Sequence, residues 1–292
     1  MLKIMLLPLS NLLSDVEIFI KKQLSPQFTS AEIDHFCQYL FEEFSQITKI
    51  ERLLKREIYI PESEIIKYGN AVVKLKAETP IQYIVGKTNF FGLDFLVNKS
   101  VLIPRPETEE LVEWIIDSAK SIDKPSILDI GTGSGCIAIC LGKKMSESQV
   151  TAVDISKEAI EVARKNAKIH QVNIDFQIAD ALKTESLPIQ KFNIIVSNPP
   201  YVRESEKKQM KENVLAYEPH LALFVDDNDP LIFYREIAKY AFNHLEENGQ
   251  LFFEINEAFA EECKDLMTQI GFTEILIKND LRGKNRMLKC SL

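Results

Sequence analysis

Asn198-Pro199-Pro200-Tyr201 follows directly on Phe192-Asn193-Ile194-Ile195-Val196-Ser197, an apolar, β-branched run that reads as a buried strand. Two successive prolines remove two backbone donors and fix two φ angles, so the strand ends here. Alone, Asn-Pro also reads as an ordinary turn. The residue types allow more. The side-chain carbonyl of Asn198 and the backbone carbonyl of Pro199 can accept both N–H bonds of one planar NH2 group. Pro199 and Pro200 stiffen that pair, and Tyr201 offers a ring face on which a planar group stacks. Such a clamp suits a conjugated amino nitrogen, an amide or a nucleobase amine. It would stabilise the positive charge that develops when that nitrogen attacks an electrophile.

A second constellation is Asp129-Ile130-Gly131-Thr132-Gly133-Ser134-Gly135, which follows a predicted strand and opens a helix. Glycines at this spacing allow a tight turn and the close approach of a ligand to the backbone. The loop alone is compatible with a plain structural turn. Its G-x-G-x-G spacing places Cys136 where a dinucleotide fingerprint needs Gly or Ala, which disfavours a pyrophosphate ligand. Asp154, with Ile155 beside it, ends the next strand, where a carboxylate can accept hydrogen bonds from both ribose hydroxyls. A helix cap is the structural alternative for Asp154, although Ser156 is better placed for that role. Asp180-Ala181 ends the third strand and would flank an adenine. Together these residues describe a nucleoside pocket without a phosphate demand, which suits S-adenosylmethionine better than NAD.

The elements that must position these residues follow from periodicity. From residue 125 onward, predicted strands at Ser126–Ile130, Val150–Val153, Ile174–Ala179, Phe192–Val196 and Leu251–Ile255 alternate with helical segments. That alternation implies parallel strands with crossover helices in a doubly wound, Rossmann-like α/β sheet. Ile275–Ile277 and Met287–Cys290 read as a hairpin at its edge. Upstream, residues 1–76 form an expected helical N-terminal domain, with capping-box patterns at Ser14/Glu17 and Thr29/Glu32 and a third helix after Pro61. Residues 77–105 form an expected connector containing a β-hairpin around Gly92, and residues 106–292 the catalytic domain.

Composition narrows the class. With 292 residues and 46% hydrophobic content the chain can bury a large core without disulfides or metal. A net charge of −8 argues against sequence-independent adhesion to nucleic acid. Cys37, Cys136, Cys140, Cys263 and Cys290 are scattered without metal-ligand spacing and read as buried free thiols in a reducing cytoplasm. The apolar start, MLKIMLLPLSNLL, is broken by Pro8 and Asn11 and lacks a cleavage site, and no stretch reaches membrane-spanning length. A cytoplasmic location, no membrane partner and no metal are therefore expected. His35, His170, His220 and His244 read as surface or core residues rather than bases.

Ile103-Pro104-Arg105-Pro106-Glu107-Thr108-Glu109, the glycine loop, Asp154, Asn198–Tyr201, Glu218-Pro219 and Asp280…Arg286 together resemble the peptide chain release factor N5-glutamine methyltransferases (HemK/PrmC family). The similarity spans about residues 77–290. It implies a class I S-adenosylmethionine-dependent methyltransferase sheet with an antiparallel edge hairpin, preceded by a small all-α domain. It further implies S-adenosylmethionine as donor, S-adenosylhomocysteine as product, and class-1 release factors, methylated on the glutamine of their Gly-Gly-Gln motif, as protein substrates. Carried over by position, Gly131–Gly135, Asp154, Ala181 and Asn198 would contact the donor and Asn198–Tyr201 the glutamine, with Asn198, Pro199 and Tyr201 catalytic. Arg105, Glu107 and Thr108 are expected to border the donor pocket. Asn256 stands where the family usually has Gly, which is expected to alter only a turn. The helical domain would grip the substrate, and a monomer is expected.

Two other methyl acceptors use the same clamp. A ribosomal-protein glutamine would be held identically. An adenine N6 DNA methyltransferase would need a basic surface, whereas residues 202–220 balance Arg203, Lys207, Lys208 and Lys211 against Glu204, Glu206, Glu212 and Glu218. No direct nucleic-acid partner is expected.

Overall fold

The computed structural model describes residues 7–54 and 57–292, so the first six residues of the apolar N-terminal run lie outside it. The chain divides into two compact units, residues 1–86 with 212–217, and the remainder.

The first unit is built from α1 (Leu13–Leu24), α2 (Ser30–Ser45), α3 (Lys49–Leu54), α4 (Glu62–Lys76) and α5 (Ile81–Val85). Leu13, Val16, Ile20, Leu40, Phe41, Tyr68 and Val72 recur at helical spacing and form its core. At α2 the capping box forms: the Thr29 amide donates to Glu32 Oε2 at 2.8 Å, and the Glu32 amide to Thr29 Oγ1 at 3.3 Å. The box expected at Ser14/Glu17 does not form. The helix starts two residues earlier, at Leu13 with Leu12 at the N-cap, and Glu17 pairs instead with Lys21 at 2.6 Å and the buried Arg52 at 3.3 Å. The unit also runs to Gly86, past the expected end at residue 76, because Ile81 of α5 is buried in the helical core.

The second unit opens with a hairpin of β1 (Lys87–Phe90) and β2 (Leu93–Leu96). Phe91 and Gly92 both have positive φ, the two-residue turn that matches strand twist. After α6 (Pro106–Ser118) come β3 (Ser126–Ile130), α7 (Cys136–Lys144), β4 (Gln149–Asp154), α8 (Lys157–His170), β5 (Ile174–Ile178) and β6 (Phe192–Ser197). Two two-residue strands, β7 (Val202–Arg203) and β8 (Phe224–Val225), pair on either side of the segment that holds α9 (Glu212–Tyr217). The chain ends with α10 (Ile232–His244), β9 (Leu245–Glu254), α11 (Ala260–Ile270), β10 (Thr273–Asn279) and β11 (Asn285–Ser291).

The main sheet has the order β10-β11-β9-β6-β3-β4-β5. Its strands β9, β6, β3, β4 and β5 are parallel, and β11 runs antiparallel to both neighbours, so the C-terminal hairpin forms the expected antiparallel edge. Successive strand residues feed opposite faces. Ile127, Ile194 and Val196 pack with Leu111, Ile115, Ile139 and Ala163 on one side, and Leu128, Ile195 and Leu251 pack with Ile237, Ala241 and Met267 on the other. Burial on both faces accounts for the continuous apolar runs of these strands. All five cysteines are free and buried. No helix among the described residues is long and apolar enough to cross a membrane.

The order carries the functional geometry. From β3 the chain builds outward through β4 and β5, then returns to lay β6 on the other side of β3. Strand order reverses there, and ligands of open α/β sheets bind at the carboxyl ends of strands flanking such a point.

Candidate active site

Ile130 and Ser197 are register partners in β3 and β6, so Gly131 and Asn198 leave the sheet side by side. The buried Ser197 hydroxyl donates to the Ile130 carbonyl at 2.7 Å and ties the two strand ends together.

The glycine loop is internally bonded. Gly131 and Thr132 donate their amides to Val153 O, Gly135 to Thr132 O, and Gly133 to Asp154 Oδ2 at 2.9 Å. Those four amides are therefore engaged within the protein. Gly131, Gly133 and Gly135 all have positive φ. A Cβ on Gly131 or Gly133 would stand in open space, so the volume above them is available to a ligand. One on Gly135 would lie 3.0 Å from Ile139 Cδ1 and 3.1 Å from Ala163 Cβ.

The second oxygen of Asp154 accepts from the Ser156 amide at 2.9 Å, and Ser156 caps α8 through the Ala159 amide, as expected. Burial pushes the Asp154 carboxyl above its usual range. Beneath the loop, Asp129 is wholly buried, with one oxygen accepting from Thr132 Oγ1 at 2.6 Å. Desolvation pushes its carboxyl up to about 7.

A cavity of about 450 Å³ opens over these strand ends. That is the size and position of a small-ligand site at a switch point. Gly131, Thr132, Gly133, Ser134, Asp154, Ile155, Asp180, Ala181, Asn198, Pro199 and Pro200 line it, and so do Arg105 and Thr108. Gly135, Glu107 and Tyr201 do not. Gly135 instead caps α7, and Glu107 lies 3.7 Å from Arg282. Asp180 Oδ1 accepts from the Leu182 amide at 3.0 Å. Leu102, Leu221 and Phe233, which no motif marked, belong to the apolar part of the wall.

The clamp tetrapeptide is held from below. Tyr201 donates its hydroxyl to Glu254 Oε1 at 3.0 Å, so its polar end is turned into the protein. Thr108 Oγ1 donates to Glu254 Oε2 at 2.6 Å, and Asn198 Nδ2 donates to Thr108 Oγ1 at 3.3 Å. Glu254 is buried, and burial raises its carboxyl above the usual range. Asn256 does more than shape a turn: its side chain accepts from the Ala258 amide and donates to the Tyr201 carbonyl at 3.1 Å. The opposite wall is fixed by the buried Glu218, which accepts from Arg105 Nη2 at 2.6 Å and from the Ile103 amide at 3.3 Å. That pair joins the I-P-R-P and E-P segments across more than a hundred residues of sequence. None of the four histidines lines the cavity.

The chain is similar to known proteins along most of its length. Residues 108–221 match the family model described as the methyltransferase small domain, and residues 20–86 match the PrmC N-terminal domain. A release factor glutamine methyltransferase of Flavobacterium psychrophilum is 47% identical over 269 residues, covering 91% of this chain and 94% of that protein. One from Bacteroides thetaiotaomicron is 37% identical over 94% of this chain and 98% of its own length. Among solved structures, the hMettl16 catalytic domain shares the fold with a TM-score of 0.58 at 15% identity, over 87% of this chain and 90% of that one.

Proposed function

This chain belongs to the release factor glutamine methyltransferase family, and we propose that it methylates the side-chain amide nitrogen of the glutamine in the Gly-Gly-Gln motif of class-1 release factors. The observation that carries this reading is the register of β3 and β6, which sets Asn198 beside the glycine loop at one cavity. S-adenosylmethionine supplies, when bound, a methyl group already activated by its sulfonium centre.

Within this reading, Gly131, Thr132, Gly133 and Ser134 receive the donor, with open space above the two glycines. Asp154, which with Ile155 lines the cavity, accepts from its ribose hydroxyls, and Asp180 and Ala181 flank its adenine. Gly135 serves indirectly, by letting α7 approach α8 closely. Asn198 Oδ1 and the Pro199 carbonyl accept the two N–H bonds of the glutamine amide. An amide nitrogen is a weak nucleophile because its lone pair is delocalised. Two acceptors return electron density to it and stabilise the charge that develops as it is alkylated. Holding it in place lowers the barrier further, since positioning supplies up to about 7–11 kcal/mol in well-oriented systems. Pro200 stiffens the clamp. Tyr201 contributes by anchoring the tetrapeptide through Glu254. The N-terminal helical unit grips the release factor.

The test is mass spectrometry of a class-1 release factor incubated with the purified protein and S-adenosylmethionine. A single methyl on the Gly-Gly-Gln glutamine is the expected product. Methylated adenine in duplex DNA, with the release factor left unmodified, would overturn the reading.

A further inference from the structure

Asn198 lines the cavity, and the two ends of its side-chain amide, NH2 and C=O, have opposite hydrogen-bonding character. Only the orientation with Oδ1 toward the cavity can accept from a substrate N–H. The reversed orientation presents a donor to a donor. Something must choose between them.

We infer that Thr108 and Glu254 are positioning residues for Asn198, making a one-way run of hydrogen bonds that fixes which end of its amide faces the substrate. The direction is set at Glu254. Its two oxygens each accept from a hydroxyl, Oε1 from Tyr201 at 3.0 Å and Oε2 from Thr108 at 2.6 Å, so Thr108 spends its single proton on the carboxyl. The Thr108 oxygen then has only lone pairs to offer. Asn198 must meet it with Nδ2, as it does at 3.3 Å, and Oδ1 is left for the cavity. Glu254 takes the Tyr201 hydroxyl on its other oxygen, so one buried carboxylate holds both ends of the tetrapeptide. The inference rests on the proposed role of Asn198 as an acceptor for the amide that is methylated.

Two near-isosteric changes separate polarity from packing. Thr108→Val keeps the shape and removes the hydroxyl. Glu254→Gln substitutes an amide whose NH2 can donate to Thr108, freeing the Thr108 proton to turn toward Asn198 and favour the reversed orientation. In both, kcat should fall about tenfold or more, the scale of losing a hydrogen bond in a charge-linked network, while KM for the donor changes little. Thr108→Ser should recover most of the rate. A second readout needs no release factor. The Asn198 side-chain NH2 should show slow solvent exchange by NMR in the wild type and fast exchange in Thr108→Val, with melting temperatures confirming that each variant folds. Wild-type kcat in Thr108→Val, or a Thr108→Ser enzyme as slow as Thr108→Val, would overturn the inference. So would fast exchange of the NH2 in the wild type. Failure of the wild type itself to methylate the release factor would instead count against the functional reading.

Discussion

The Ser197 hydroxyl donates to the carbonyl of Ile130 at 2.7 Å, joining the carboxyl ends of the two strands that flank the cavity. Both residues are buried, so the bond forms where water cannot replace it. Ser197→Ala is expected to lower stability by about 1–2 kcal/mol, measurable by urea unfolding. Loss of the tie should also loosen the spacing of Gly131 and Asn198, and methyl transfer should fall more than donor binding does.

Two glycines of one loop should fail differently. Gly135→Ala forces a Cβ to within about 3 Å of Ile139 and Ala163 at a φ of +82°. Its cost is expected in stability, roughly 1–3 kcal/mol from crowding and backbone strain together. Gly131→Ala shares the backbone strain, at a φ of +77°, but meets no neighbour and puts its methyl in the cavity, so it should cost less stability than Gly135→Ala and weaken S-adenosylhomocysteine binding more. Calorimetric titration beside thermal denaturation separates the two.

Asp154 does two jobs, holding the Gly133 amide on one oxygen and the Ser156 amide on the other. Asp154→Ala removes both and the proposed ribose acceptor. Affinity for S-adenosylhomocysteine should fall by roughly tenfold or more, as expected when hydrogen bonds to a charged group are lost. Undiminished affinity would place the nucleoside elsewhere.

Asp129 gives stability a pH dependence. Its carboxyl sits near 7 when folded, above the ordinary Asp value of about 3.9 that it regains on unfolding. The folded state therefore holds the proton more tightly. Its contribution is complete below about pH 4 and is lost as pH rises through 7, by at most about 1.4 kcal/mol per pH unit. The stability of the wild type relative to Asp129→Asn should decline from pH 4 to 7 and then level off. Urea midpoints at a series of pH values read this directly.

Much of the site was legible because its signals are local. G-x-G-x-G, the aspartate that ends β4 and N-P-P-Y each act through neighbours in sequence, and strand–helix alternation sufficed to bring them to one edge. What escaped depends on distant partners. Glu254 meets Thr108 across 146 residues and Tyr201 across 53, and nothing in the run Phe252-Phe253-Glu254 marks that carboxylate as an anchor. Tyr201 suggested a stacking face, whereas its hydroxyl is drawn inward. Ser14 and Glu17 carry a capping pattern, but Arg52 and Lys21 compete for the glutamate. Strands β7 and β8 are two residues each, too short to show a period.

The most direct measurement is single-turnover methylation by Asn198→Ala, with donor affinity determined on the same preparation. Affinity should stay within a few-fold of wild type, while methyl transfer to the release-factor glutamine drops by roughly a hundred- to a thousandfold, the scale of removing one preorganised hydrogen-bonding group from a reaction centre. Transfer at the wild-type rate would contradict the clamp outright.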